Sequence, residues 1–579
     1  MEKSQATGVI TGINGNMITV RVDGRILQNE LAYVVSGDER LKAEIIKIEE
    51  GLVSLQVYES TRGLKAGDTV EFSGEMLFAT LGPGILGQVY DGLQNPLHEL
   101  AEKYGVFLQR GKVAEALDQE KKWAFTPTVK AGDKLLAGMP LGWVPENAAK
   151  HLIMAPFYLA GELTVKRVAD AGDYTVTEKI AELTDAAGKT IPVTMCFDWP
   201  IKIPIDAYAK KLLSDEPMVT QSRIIDSFFP VALGGTYCVP GPFGAGKTVL
   251  QQNTSRNAQV DVVIVAACGE RAGEVVETLL EFPEIIDPRT GNPLMDRTII
   301  IANTSSMPVA AREASVYTAA TLGEYYRQMG LNVLLMADST SRWAQAMREV
   351  SGRLEEIPGD EAFPAYLESR IAEFYERSGF VELHNGEHGS LTIGGTVSPA
   401  GGNFEEPVTQ ATLKVVDAFH GLSRARSDAR KYPAIDPLES WSHCKGIIDA
   451  DKIKKARAIL VKGDEVGQMM MVVGEDGTAM SEFITYLKAD LLDSVYLQQD
   501  SFDDIDNACS SDRQRYVFDK VFGILMADLD FKDKADGRQV FSRLTQHFID
   551  WNRKPMDSDE FKELEETIDA TVAEAQGKQ

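Results

Sequence analysis

The sequence predicts a multidomain protein with an N-terminal β-barrel, a central α/β domain interrupted by a β-rich insertion, and a C-terminal α-helical domain. Three observations carry this division. Close-set strand patterns fill about the first 75 residues, strand and helix patterns alternate from Pro192 onward, and strand patterns stop beyond Trp441. A length of 579 residues accommodates such parts, at roughly 150 residues per domain. The expected boundaries are 1–75 for the barrel, 76–112 with 184–440 for the α/β domain, 113–183 for the insertion and 441–579 for the helices.

In the first part, β-branched residues alternate over 8–13, 17–22 and 41–49, with Asn14-Gly15, Asp23-Gly24 and Gly37-Asp38 as turns. The pattern continues at 53–58 and 69–72, and short strands so closely spaced argue for a small barrel or sandwich. Residues 113–183 are again β-leaning, with turn signals at Gly132-Asp133, Ala137-Gly138, Ala160-Gly161 and Ala171-Gly172-Asp173. From Pro192, apolar runs at 236–239, 260–268, 298–302 and 333–337 alternate with helix-length segments at 248–258 and 308–329. That is the order of βαβ crossovers and a mainly parallel sheet. Segments 451–461, 480–494, 512–526 and 558–573 carry helical periodicity with charge on the outer faces.

One motif carries chemistry directly. Gly241, Pro242, Phe243, Gly244, Ala245, Gly246, Lys247 and Thr248 fit G-x-x-x-x-G-K-[ST] in full. Glycines let backbone N–H groups close around phosphate oxygens where side chains would obstruct. Lys247 would reach the β- and γ-phosphates, the Thr248 hydroxyl would ligate Mg²⁺, and the following helix would point its positive end at the same anions. A strand before the loop and a helix after it set this apart from an ordinary glycine turn. A second strand, 332–338, is an apolar run ending in Asp338, the Walker B pattern, which would supply a carboxylate for the metal. Cys268-Gly269-Glu270-Arg271 ends the strand after the loop, so Glu270 could polarise the attacking water, with Arg271 holding it or a phosphate. Spacing alone fits an exposed Glu-Arg pair opening a helix equally well.

Composition narrows the class. Hydrophobic residues at 44% and charged residues at 25% exclude wholesale disorder and fibrous architectures. A formal charge of −27, without a basic patch, opposes nucleic-acid binding. Five cysteines stand far apart without a CxxC pair, which fits reduced thiols in a cytosolic protein rather than a disulfide framework or zinc site. The start lacks an apolar signal core and no run reaches the length of a membrane span, so a cytoplasmic protein is expected, serving any membrane through partners.

With their neighbours, these motifs resemble the catalytic A (alpha) subunit of the V/A-type rotary ATPases and ATP synthases, a relative of the F-type β subunit. The resemblance covers almost the whole chain. It rests further on 337–344 (ADSTSRWA), 351–356 (SGRLEE), 364–367 (PAYL), 401–404 (GGNF) and 406–412 (EPVTQAT). Residues 433–442 (PAIDPLESWS) fit the signature P-[SAP]-[LIV]-[DNH]-x-x-x-S-x-S. The 113–183 insertion is similar to the bulge that separates A subunits from F-type β subunits.

The resemblance implies a P-loop, RecA-like nucleotide domain that hydrolyses or synthesises ATP at A/B subunit interfaces, coupled to proton or sodium transport through membrane partners. It implies Lys247, Glu270 and Arg271 as catalytic residues and Gly241 to Thr248 as the ATP loop, with Thr248 and Asp338 on Mg²⁺. Tyr432 matches an aromatic that packs on adenine and Phe502 one on the base's other side; without the resemblance, either ring reads as plain core. The segment 356–364 would be a loop facing the rotating shaft. Implied partners are a B subunit in an alternating hexamer of three A and three B, central-shaft and peripheral-stalk subunits, and, indirectly, the membrane ion-translocating sector. The arginine that completes the site is implied on the B subunit, while Arg348, Arg424 and Arg426 leave a finger in cis open. The sequence departs from the family at Ala272-Gly273-Glu274, where Gly-Asn-Glu is usual, and the change leaves Glu270 intact. Ala245 stands where some relatives carry Cys, which removes disulfide control at the loop. Three rivals fit less well. A Rho-type RNA helicase needs a basic face, a B-type structural subunit lacks the complete loop and the Gly-Glu-Arg carboxylate, and an export ATPase lacks the insertion and so long a C-terminal region.

Overall fold

The computed structural model describes residues 6–105, 108–147, 149–242 and 244–577. The chain forms two compact units: Met1–Leu213 with Val260–Val397 and Glu405–Val415, and Ser214–Gln259 with Ser398–Phe404 and Val416–Gln579.

In the first unit, strands Thr7–Asn14, Met17–Asp23, Leu52–Val57, Glu39–Glu49, Glu30–Ser36 and Thr69–Met76 neighbour one another in that order. The last pairs antiparallel with the first, closing a barrel without edge strands. Alternate residues such as Ile10, Val20, Val34, Leu55, Val70 and Phe72 point inward as its core. Strand Glu30–Ser36 is one the sequence reading missed. Its run Leu31-Ala32-Tyr33-Val34-Val35 is apolar throughout, so no alternation marks it, and burial of Leu31, Ala32 and Val34 decides it instead.

The insertion folds as two four-stranded antiparallel sheets. One runs Lys134–Leu135, Leu163–Val168, Ala181–Thr184, Thr190–Val193, and the other Ala149–Met154, Pro140–Glu146, Lys122–Pro127, Gly172–Thr175. Leu135, Leu141, Leu163, Val165, Leu183 and Val193 share one core. Pairing of Ala181 with Val193 carries this fold past the expected end at 183, which falls inside a strand. The missed signal is the Ala187-Gly188 turn, with Gly188 at φ +80° between the two strands of a hairpin.

Also in the first unit, Val262–Glu270 lies between Thr298–Thr304 and Asn332–Asp338, parallel to both, and His388–Val397 runs parallel to Asn332–Asp338. Parallel neighbours finish at one edge of a sheet, so Glu270, Thr304, Asp338 and Val397 end together there. The helix Val309–Arg327 is buried along most of its length. It tolerates burial of Glu324 because Arg377 donates to that carboxylate through Nε at 3.0 Å and through Nη2.

In the second unit, the fully buried strand Thr236–Pro240 runs parallel to Ala418–Phe419 and leads through the glycine loop into helix Lys247–Asn257. Helices Ala450–Val473, Met480–Leu492, Ser511–Met526, Lys534–Asn552 and Asp559–Ala575 follow. Four of them start on a capping side chain: Asp449, Ser510, Asp533 and Ser558. Lys534–Asn552 is absent from the sequence reading, although its signals are ordinary. Asp533 caps it, and Val540, Leu544, Phe548 and Trp551 make a buried stripe at helical spacing. Among the described residues, no helix is long and apolar enough to cross a membrane.

Candidate nucleotide site

The loop geometry in the second unit follows from its glycines. Gly244 (φ +80°) and Gly246 (φ +87°) occupy left-handed backbone that side chains disfavour. A Cβ on Gly241 would stand 2.7 Å from Leu422 Cβ, so only glycine lets the chain at Leu422 approach. Ala245 is buried and its N–H donates to the Pro242 carbonyl at 3.3 Å. Lys247 opens the helix, and its Nζ reaches back to donate to the carbonyls of Gly241 at 2.8 Å and Pro242 at 3.1 Å. The ammonium thus lies across the loop, and half-buried Thr248 follows it in the first helical turn, at the positive end of the helix. Phe243 lies outside the described residues.

Tyr432 closes a small cavity lined with Leu250, Asn253, Thr254, Pro433 and Gln499. Its hydroxyl accepts from Asn253 Nδ2 at 2.7 Å, its carbonyl accepts from Gln499 N–H at 2.8 Å, and burial pushes its phenol up to about 12. Phe502 does not line this cavity, and its ring is 97% exposed.

The first unit carries the acidic residues. Between Cys268 and Glu270 the pairing with the neighbouring strand slips by a bulge, because Gly269 turns to φ +75°. That turn presents Glu270, half-buried, as the last residue of its strand, while its carbonyl accepts from Ser305 N–H at 2.9 Å. A Cβ on Gly269 would meet Arg312 Cδ at 2.8 Å and Arg342 Cβ at 3.0 Å. Arg271 stands immediately before the helix Ala272–Glu281 without a side-chain cap bond, so the Glu-Arg pair leads into a helix as well as ending a strand. Asp338 ends the neighbouring strand opposite Ala267, and Thr396 Oγ1 donates to its Oδ1 at 2.5 Å. Of the arginines open as a finger in cis, Arg426 pairs with Asp493 at 2.7 Å, Arg424 faces Asp428 at 3.7 Å and Arg348 lies 4.8 Å over the Phe363 ring.

A magnesium ion fits the donor chemistry. Thr248 in the second unit and Asp338 in the first each offer a hard oxygen, the donor type that Mg²⁺ prefers. Among the described residues there is no ready-made cage of three or more His, Cys, Asp or Glu. Sequence reasoning missed Asn253, Gln499, Thr396 and Arg312. None belongs to a motif, and each matters only through what it touches in the fold.

Comparison with known proteins bears on the whole chain. Residues 222–442 match the model of the ATP synthase alpha/beta family nucleotide-binding domain, and 10–74 match that family's beta-barrel domain. The V-type ATP synthase alpha chain of Treponema denticola is 61% identical over 571 residues, covering 99% of this chain and 97% of its own. That of Borrelia turicatae is 60% identical over 564 residues, covering 97% of this chain and 98% of its own. The chain belongs to the V-type ATP synthase alpha chain family. The family's remaining parts match in order. The barrel-sandwich domain of alpha/beta subunits covers 114–202, in keeping with strands that continue to Val193, and the C-terminal domain of V and A type ATP synthases covers 450–529.

Proposed function

We propose that this chain is the catalytic subunit of a V/A-type rotary ATPase, interconverting ATP with ADP and phosphate and coupled to proton or sodium transport through membrane partners. The observation that carries the reading is Lys247, which opens a helix after the left-handed glycines Gly244 and Gly246 and reaches back to the Gly241 carbonyl. Backbone N–H groups and Lys247 bind the β- and γ-phosphates in ground and transition states alike. Thr248 and Asp338 would hold Mg²⁺, which would supply charge neutralisation on the phosphate oxygens. Glu270 accepts a hydrogen bond from the attacking water and orients it in line, and Arg271 holds the carboxylate or a phosphate in place. Tyr432 and Phe502 pack on the two faces of the base.

The same reading assigns the chain to an alternating hexamer of three A and three B subunits, with central-shaft and peripheral-stalk partners. It would sit at the cytoplasmic side of the membrane without entering it. The B subunit supplies the arginine finger, a group worth about 10³–10⁵-fold in phosphoryl transfer. A titration of the chain with its B partner tests this. Alone, the chain binds Mg-ATP and turns it over slowly, and the rate rises steeply as mixed hexamers form. Full-speed hydrolysis by a demonstrated monomer, unchanged by the partner, refutes the shared site.

A further inference from the structure

Tyr432 is anchored at both ends, and the two anchors differ in kind. Its backbone carbonyl takes the N–H of Gln499. The Gln499 side chain is itself 6% exposed and fixed by three bonds: Oε1 accepts from Arg223 N–H at 2.6 Å, and Nε2 donates to the carbonyls of Asp506 at 2.7 Å and Gln221 at 3.1 Å. The main chain at Tyr432 is therefore held, and the remaining freedom is the tilt of its ring. That freedom is taken by the bond from Asn253 Nδ2 to the Tyr432 hydroxyl, 2.7 Å long.

Asn253 lies on the helix Lys247–Asn257 that opens with the phosphate-gripping lysine. At 1.5 Å of rise per residue it stands about 9 Å along the axis from Lys247. We propose that Asn253 is a positioning residue for nucleotide binding, which ties the ring that packs on the base to the helix that grips the phosphates. The helix then acts as a ruler between the two ends of the nucleotide. This rests on the reading of Tyr432 as the base-packing ring. Phe502, exposed on its loop, is not preset in this way, so the ordered wall of the base site is the Tyr432 wall.

The test uses the full-length chain and two probes, Mg-ATP and inorganic triphosphate, titrated calorimetrically. Asn253→Leu and Tyr432→Phe each remove the bond while keeping bulk and ring. Each is expected to weaken Mg-ATP about 3–10-fold, the usual worth of one neutral hydrogen bond. The double variant is expected to be no weaker than either single one, and triphosphate affinity to stay put in all three. Tyr432→Ala tests the underlying reading and is expected to weaken Mg-ATP more than Tyr432→Phe does. If Tyr432→Ala weakens Mg-ATP but Asn253→Leu does not, the positioning role falls and the base assignment stands. If Tyr432→Ala leaves Mg-ATP affinity unchanged, the base assignment falls and takes the positioning role with it. Additive losses in the double variant, or an equal loss for triphosphate, also overturn the proposal, since they place Asn253 in separate contacts or in the loop itself.

Discussion

Gly269→Ala tests whether the bulge aims Glu270. Two costs meet at this residue. The backbone stands at φ +75°, which an L side chain adopts at roughly 1–2 kcal/mol. The new methyl would lie 2.8 Å from Arg312 Cδ, closer than carbon atoms approach, and 3.0 Å from Arg342 Cβ, tighter than most carbon contacts. Arg312 can swing, but Arg342 Cβ is fixed to its helix, so the strand end must shift by a few tenths of an ångström. Such overpacking typically costs 1–3 kcal/mol. The sum, about 2–5 kcal/mol, is within what a domain survives, so the chain should fold while the strand end relaxes. Glu270 is the next residue, and since a misplacement of about 1 Å costs on the order of 10²-fold, a shift of a few tenths of an ångström should cost about 3–10-fold. The expected result is a ~3–10-fold fall in ATP turnover by the assembled complex, with Mg-ATP affinity within about 2-fold. The thermal transition should drop by several degrees, at about 2–4 °C per kcal/mol for parts of this size. Gly273→Ala is the control. A Cβ there meets nothing within 4 Å and the residue is helical, so alanine should be neutral or stabilising by about 0.5–1 kcal/mol. If Gly269→Ala matches Gly273→Ala in both turnover and thermal transition, the bulge does not aim Glu270.

Glu270→Gln should bind Mg-ATP nearly normally and lose about 10²–10⁴-fold in turnover; near wild-type turnover at saturating Mg-ATP removes Glu270 from the water-orienting role. Lys247→Ala should weaken both affinity and rate, because on the proposed reading its charge would face phosphate in ground and transition states alike, and an unchanged ATP dissociation constant by titration contradicts that. His420 is buried with Nε2 2.8 Å from the Phe229 carbonyl, and burial holds its pKa down to about 4 against an ordinary 6.5. A depressed folded-state pKa means the unfolded chain takes up the proton first, so stability is present above pH 6.5 and lost as pH falls toward 4. The loss approaches roughly 3 kcal/mol. In urea melts across that window, His420→Gln should flatten the acid slope, and an unaltered slope means other groups set it.

Much of this protein was legible without coordinates. The loop at 241–248, the carboxylate ends Glu270 and Asp338, and the order of strands and helices follow from local rules: glycine where backbone must close on anions, apolar runs where strands are buried, and periodicity elsewhere. Those signals are carried by neighbouring residues, so one sequence contains them. Tertiary structure alone decided the rest. Glu30–Ser36 is a strand because the closed barrel buries Leu31, Ala32 and Val34 and pairs the run on both sides, and the insertion continues to Val193 because Ala181–Thr184 needs a partner. Gly269 reads as punctuation in the sequence, whereas in the fold Arg312 and Arg342 leave it no room for a side chain. Asn253 and Gln499 acquire their places from Tyr432, far away in the chain. Hydrogen bonds and steric limits of that kind depend on distances between remote residues, and those distances exist only once the chain has packed.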